Sequence, residues 1–415
     1  MSNEYSNTKS ELIPELDLLI NLCKIKLGKN PDIIDFQKID SINWGLFFKL
    51  CGSHRLYPLV NNILNKFPNA IPPEIKENFS ERSLQNQMLI MKLAGELNTL
   101  HSAFTNEKID FVALKGPLMV FQLYGDYSLR QTRDLDILVS KKDIDNAIST
   151  LFKHGYNLID KYFFKNSEKR SLYLIRENHV RLYNPTKKIL VELHWAASKQ
   201  FTRIKTENLF SNTINFEASG KTFKTLNLNN YLVYLAAHGV SHQYVRLFWL
   251  YDIAQILTFH KVNYDELIAC SIKYGCTSAV KVSIVLASRV FNLDVQQDFQ
   301  CNKRLNTRER FLAETCYQSI IHAEQEQTQA SESKPLTVLR QRYYHMKYQF
   351  LMTDDFNSKW QIIKNIFIKP YVWAENEKLP KSNFVYLAAT QIKWMRMVLS
   401  GKMKENGKVI DRPLK

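Results

Sequence analysis

No stretch of this chain approaches the roughly 20 consecutive apolar residues that a membrane-spanning helix needs, so no transmembrane segment is predicted. The opening Met1-Ser-Asn-Glu-Tyr-Ser-Asn7 carries neither a basic start nor an apolar run, and no secretory leader is expected. The six cysteines, Cys23, Cys51, Cys270, Cys276, Cys301 and Cys316, form no CxxC pair. A chain of 415 residues needs no covalent staples, so they read as reduced, mostly buried thiols of a cytoplasmic protein. Zinc-finger spacing is absent. So are G-x-x-x-x-G-K-[ST], G-x-G-x-x-G and G-x-S-x-G, which removes the P-loop, dinucleotide-fold and hydrolase-elbow readings.

What is present is globular. A hydrophobic share of 45% with 12% aromatics excludes a disordered chain, and the length allows two or three domains. The net charge is +16, and residues 356–415 carry 12 basic against 4 acidic side chains. Such a field attracts phosphate, whether on a nucleotide, a polynucleotide or a membrane surface; the bland alternative is a lysine-rich solvated face.

Apolar spacing predicts helices from residue 10 to about 107, broken at Phe67-Pro68 and Ile71-Pro72-Pro73. The pattern then changes. Asp110-Phe-Val-Ala-Leu114 reads as a short buried strand that ends at Lys115-Gly116-Pro117 and leads into a helix. Residues 134–139 read as a second strand, followed by a helix that Gly155 terminates. Three short strands are expected at 171–175, 180–183 and 189–195, the last two joined by a turn at Asn184-Pro185-Thr186. Beyond about 207 the pattern returns to helix, with a polar linker at 324–334 and last helices at 354–360 and 385–399. The predicted fold class is α+β: a helical region (1–107), a small mixed sheet with flanking helices (108–206) and a helical C-terminal region (207–415).

The chemistry concentrates in Arg130-Gln-Thr-Arg133-Asp134-Leu135-Asp136-Ile137-Leu138-Val139. Alternate strand side chains share a face, so Asp134 and Asp136 point one way while Leu135, Ile137 and Val139 point the other. Two ionised carboxylates at that spacing repel, and aiming them at a core is costly. A hard divalent cation, Mg2+ or Mn2+, resolves both problems and also binds triphosphate oxygens. Glu192, the lone acid in Val191-Glu192-Leu193-His194-Trp195, is the candidate third ligand, provided that its strand lies beside 134–139. The competing reading is an edge strand whose acids merely face solvent.

Taken together, Ala113-Leu-Lys-Gly-Pro117, Leu123-Tyr-Gly-Asp126, Arg130, Asp134-Leu-Asp136-Ile-Leu-Val139, Gly155-Tyr156 and Val191-Glu-Leu-His-Trp195 resemble the uncharacterised nucleotidyltransferase family of the polymerase-beta-like superfamily. Trp44 with residues 51–59, Ala236-Ala-His238 and Trp249-Leu-Tyr-Asp252-Ile-Ala254 extend the resemblance along the chain. It implies that Gly116 forms the turn against the nucleotide phosphates, that Asp134 and Asp136 bind metal, and that Glu192 is the third carboxylate. There are departures: Lys115-Gly116-Pro117 replaces the superfamily's Gly-Gly or Gly-Ser turn, and the interval from Gly116 to Asp134 is longer than usual. The third acid is Glu where Asp is commoner.

The implied reaction is metal-assisted transfer of a nucleoside monophosphate from an NTP to a hydroxyl, with Asp134, Asp136 and Glu192 catalytic and Glu192 also a candidate base. Lys115 and Arg130 are candidates for neutralising the triphosphate. Lys115 reads otherwise as a solvated turn lysine, and Arg130 as a structural partner of Asp126 or Asp134. His238 and His242 lie four apart on a predicted helix, a spacing that permits a shared metal, yet no acid lies between them as in zinc proteases. Helix packing is the preferred use of His238 and Asp252, and the resemblance adds a pocket-lining role. His194 shares a face with Glu192, either at the edge of the site or in a structural hydrogen bond.

A small molecule or a protein is the expected acceptor. Nucleic acid is less favoured, because the basic C-terminal segment with Trp360, Trp373 and Trp394 carries no single-strand-binding motif. Two other classes compete: an inactive nucleotide- or nucleic-acid-binding protein of the same fold, and a helical adaptor with solvated acids.

Overall fold

The computed structural model describes residues 12–34, 41–67, 71–160, 167–199, 201–294, 305–322 and 335–367, with isolated positions beyond. Four helices come first: α1 (Pro14–Lys26), α2 (Trp44–Ser53), α3 (Tyr57–Leu64) and α4 (Pro73–Asn106). Proline opens α1, α3 and α4 in the first turn, where its missing N–H costs nothing. Asn43 caps α2 by accepting from the Leu46 amide.

The sheet follows. β1 (Phe111–Ala113), α5 (Pro117–Tyr124), β2 (Asp134–Val139), α6 (Ile144–Lys153), β3 (Asn157–Leu158), α7 (Ser167–Arg176), β4 (His179–Asn184) and β5 (Ile189–His194) form its unit. The strand order is β1-β2-β5-β4-β3. β2 runs parallel to β5, and the other pairs are antiparallel. Helices flank this small mixed sheet on both sides in sequence, which is the expected α+β architecture.

Two elements differ from the sequence reading. Residues 171–175, expected as a strand, lie inside α7. A short apolar run does not distinguish strand from helix by itself; here the Trp195 indole Nε1 donates to the Leu174 carbonyl at 3.2 Å and holds the helix beside the sheet. The region after 207, expected to be helical, contains a hairpin instead, β6 (Thr213–Ala218) and β7 (Lys221–Leu226). Ser219 (φ 50°) and Gly220 (φ 74°) are both left-handed, as a two-residue hairpin turn requires.

The remaining helices are α8 (Thr206–Phe210), α9 (Leu228–Ser241), α10 (Leu247–Phe259), α11 (Tyr264–Tyr274), α12 (Thr277–Phe291), α13 (Thr307–Ile321), α14 (Pro335–Met352) and α15 (Phe356–Phe367). The linker at 324–334 and the helix at 385–399 fall outside the continuously described residues. No described helix is long and apolar enough to cross a membrane. The five described cysteines are free thiols.

Two cores result. One joins Leu16, Leu19, Phe47 and Val60 of the first helices to Leu235, Leu250, Val280 and Leu312 of the last ones. The other packs Leu135, Ile137, Val139, Val191 and Leu193 of the sheet against Leu97, Leu100 and Phe104 of α4 and Ile148 and Leu151 of α6. Leu138, on the opposite side of β2, belongs to the first core. The face of β2 that carries Asp134 and Asp136 is therefore turned toward the C-terminal helices rather than toward the sheet's own core.

Candidate active site

The parallel register of β2 and β5 sets Asp134 opposite Leu190 and Asp136 opposite Glu192. Asp134, Asp136, Glu192 and His194 consequently share one face, while Leu135, Ile137, Val191 and Leu193 are buried on the other. β4 adds to the same face, with His179 opposite His194 and Arg181 opposite Glu192. Asp136 is buried and Glu192 is 23% exposed, so the acids line a recess rather than a solvated edge.

His194 sits among these acids. Its Nε2 lies 3.1 Å from Asp136 Oδ1 and 3.5 Å from Glu192 Oε2. Burial alone would lower this imidazole, but its hydrogen bonds to Asp136 and Glu192 push it up to about 9, so it is a cation at neutral pH. Burial acts to raise the Glu192 carboxyl; the hydrogen bond from His194 and the charges of His194 and Lys115 overcome it and hold Glu192 well below the usual carboxylate range. Burial together with the charges of Asp136 and Glu192 pushes Asp134 up to about 7, against the opposing charges of Arg55 and Lys115. His179 Nε2 is 3.8 Å from Glu192 Oε2, and burial pulls that ring down to about 4. His179, Glu192 and His194 place one ligand atom each within 4.8 Å of one another, so they could hold a metal as a set once His194 gives up its proton.

The turn before α5 approaches from the β1 side. The Leu114 amide donates to the Asp136 carbonyl at 3.0 Å, which carries Lys115 to the acidic face. Lys115 Nζ lies 3.4 Å from both ring nitrogens of His238 and 5.1 Å from the Tyr234 ring centre. Its charge acts on both Asp134 and Glu192. Gly116 has φ 83° and ψ −158°, a conformation almost confined to glycine. A Cβ there would lie 3.3 Å from the Asp134 carbonyl oxygen.

Arg130 and Asp252 face each other. Arg130 Nε donates to Asp252 Oδ1 at 2.7 Å and Nη2 to Oδ2 at 2.8 Å, and both side chains are buried. Tyr124 adds its hydroxyl to the same carboxylate at 2.5 Å. Arg130 thus takes Asp252 as its partner, rather than the Asp126 or Asp134 considered from sequence. This planar fork ties the segment before β2 to α10, and Asp252 is wholly enclosed instead of lining an open pocket. His238 is packed against Trp249, with ring centres 5.1 Å apart, and His242 lies 4.7 Å from His238.

A family model described as "Uncharacterised nucleotidyltransferase" matches residues 40–292, more than half of the chain. The chain belongs to this nucleotidyltransferase family. Neither a curated protein nor a solved structure matches it. The matched span begins before α2 and ends after α12, so in this nucleotidyltransferase it takes in the acidic sheet face together with helices from both sides of it.

Several neighbours of the acidic face escaped the sequence reading. His179 was legible in principle, because the hairpin that pairs Asn184 with Ile189 must also pair His179 with His194. Tyr234, raised by burial and by Asp136, Glu192 and Asp134, reaches the acids from α9, and nothing local in the sequence announces that. Arg55 reaches Asp134 from the end of α2 by tertiary packing alone.

Proposed function

We propose that this nucleotidyltransferase is an active, divalent-metal-dependent enzyme that transfers a nucleoside monophosphate from an NTP to a hydroxyl of a small-molecule or protein acceptor. The observation that carries the reading is the β2–β5 register, which brings Asp136 opposite Glu192 with Asp134 on the same face. The donor set fits a hard cation: three carboxylates share one face of two paired strands, and burial together with the charges of Asp136 and Glu192 raises Asp134. Buried His194 also has an Nδ1 without a hydrogen-bond partner among the described residues, so the centre is not saturated by protein contacts.

Asp134, Asp136 and Glu192 would hold Mg2+ or Mn2+, which when bound supplies charge stabilisation for the entering and leaving oxygens. Lys115 counters the negative charge of the triphosphate from the β1 side. Gly116, having no Cβ, allows phosphate oxygens to approach the backbone closely. Glu192 is held ionised and accepts the proton of the acceptor hydroxyl as that oxygen bonds to the alpha phosphorus. The bond from the alpha phosphorus to the bridging oxygen breaks, and pyrophosphate leaves. Arg130 acts through Asp252, fixing the approach to β2 rather than touching substrate.

The test incubates the purified protein with each alpha-labelled NTP, Mg2+ or Mn2+ and a cell extract, then identifies by mass spectrometry which species gains a nucleotide. Label on a small metabolite or on one protein is the expected result. Label confined to RNA ends would overturn the acceptor class. NTP binding without label in any fraction would leave a nucleotide-binding protein that has lost turnover.

A further inference from the structure

On the β4 side of the acidic face, two imidazoles close on one carboxylate. The antiparallel register of β4 and β5 sets His179 directly opposite His194, with Glu192 two residues along β5 on the same face. The two ring centres are 4.8 Å apart. Both rings turn Nε2 toward Glu192 Oε2, at 3.5 Å for His194 and 3.8 Å for His179.

The two contacts differ in kind. His194 brings a proton on Nε2, shared between Asp136 Oδ1 at 3.1 Å and Glu192. His179, a neutral ring, has none to offer on that side. Its Nδ1 lies 3.1 Å from the Asn178 side-chain oxygen, which can only accept, so the ring hydrogen sits on Nδ1 and Nε2 carries a lone pair. That lone pair meets the Glu192 carboxylate, acceptor against acceptor. Arg181, which the register sets opposite Glu192, turns its guanidinium instead to Asp160, with Nη2 2.8 Å from Oδ1.

A cation among the three ligand atoms converts this opposition into ligation. Metal–ligand bonds of about 2.0–2.2 Å in a tetrahedron put ligand atoms roughly 3.3–3.5 Å from one another. The separations from Glu192 are near this already, and the three atoms lie within 4.8 Å of one another. The Asn178 contact is the support that a ligating histidine needs, because donation through Nδ1 fixes the ring and makes Nε2 more basic. Two imidazoles with one carboxylate select a borderline ion such as Zn2+ or Co2+ over Mg2+, which prefers an octahedron of oxygens. His179 and Glu192 are each 23% exposed, so an ion can enter and keep a coordination position for water or substrate.

We propose that His179, Glu192 and His194 form a second cation site, for a borderline divalent ion of the Zn2+ class, next to the Asp134–Asp136 pair. On binding, the His194 Nε2 proton passes to solvent and the ion takes its place. The inference rests on the nucleotidyltransferase reading for its use, because Glu192 belongs to both donor sets and an ion there adds charge beside the reacting phosphates. Its chemistry stands on the two histidines and Glu192 alone.

The experiment titrates the full chain, stripped with a chelator, with Zn2+ by calorimetry and with Co2+ by visible absorption, in the absence of NTP. Wild type is expected to bind about one equivalent of either ion with excess Mg2+ present, and His179→Gln to weaken Zn2+ by about tenfold or more. Zn2+ is also expected to raise the melting temperature of wild type more than that of His179→Gln. No Zn2+ binding by wild type, or equal affinity in His179→Gln, would overturn the site. So would the near-ultraviolet charge-transfer band of a Co2+–thiolate, which would assign the ion to cysteine. A His179→Gln that melts lower without metal yet binds Zn2+ as wild type does would show a structural ring and overturn it too. Asp134→Ala keeps the two readings apart: it is expected to lose NTP turnover and retain Zn2+. Loss of Zn2+ in Asp134→Ala equal to that in His179→Gln would assign the ion to the aspartates and overturn the second site. Zn2+ binding that depends on His179 in a wild type without turnover would sink the transferase and support the site.

Discussion

At the scale of single residues, the buried Arg130–Asp252 pair is the interaction with the largest expected effect on stability. Arg130→Ala leaves Asp252, with no exposed surface, facing only Tyr124 and an empty space. Breaking a buried pair from one side costs roughly 3–5 kcal/mol, which a urea melt would read as a lower midpoint. A loss within about 0.5 kcal/mol, the range of ordinary surface substitutions, would contradict the pairing. His54 makes a pH-dependent prediction. Burial lowers it from 6.5 to about 4, so the folded chain favours its neutral form. The unfolded chain binds the proton first; this contribution is complete above pH 6.5 and is lost as the pH falls through about 4. Melting temperatures across that window should fall more steeply for wild type than for His54→Gln, and parallel curves would sink the assignment. Asp134, Asp136, Glu192, Lys115 and Gly116 were legible at this scale because each sits in a local pattern. Arg55, Tyr234 and the Asp252 partner of Arg130 were not, since only tertiary packing brings them near.

At the scale of elements, the turn between β1 and α5 is the most constrained. Gly116→Ala forces a Cβ to within 3.3 Å of the Asp134 carbonyl from a backbone conformation that alanine avoids. The strain is worth about 1–3 kcal/mol, and its relief must displace either the turn or Asp134. Turnover should therefore fall by more than the loss of stability explains, measured as kcat at a temperature where the variant is fully folded. Wild-type kcat in a folded Gly116→Ala would show that the phosphates do not use this turn. β2 and β5 were readable from sequence because alternation of acid and apolar residues marks a strand with one buried face. α7 was misread, since a four- or five-residue apolar run carries no period. The hairpin of β6 and β7 was missed for a different reason: it buries only Ala218, Phe223, Thr225 and Leu226 fully, so little apolar alternation survives.

At the scale of the whole molecule, the sheet does not own its core. Leu93, Leu97, Leu100 and Phe104 from α4 and Phe223 from the hairpin complete it. A fragment of residues 108–206 should consequently show no cooperative thermal transition by circular dichroism, and a sharp one would mean that the sheet folds alone. The first and last helices likewise share one core, which places Arg55, Tyr234 and Lys115 around a single acidic face. Whether that face performs metal-dependent transfer is decided most directly by comparing wild type with Asp134→Ala and Asp136→Ala, each assayed with the four NTPs in Mg2+ and in Mn2+. Wild type should consume NTP only when metal is present, and each variant should lose that activity; Asp134→Ala should also melt within a few degrees of wild type, because it relieves the repulsion from Asp136 and Glu192, whereas Asp136→Ala also strips buried His194 of its partner and should melt lower. Identical behaviour of wild type and Asp134→Ala, with all four NTPs and in both metals, would contradict the transferase.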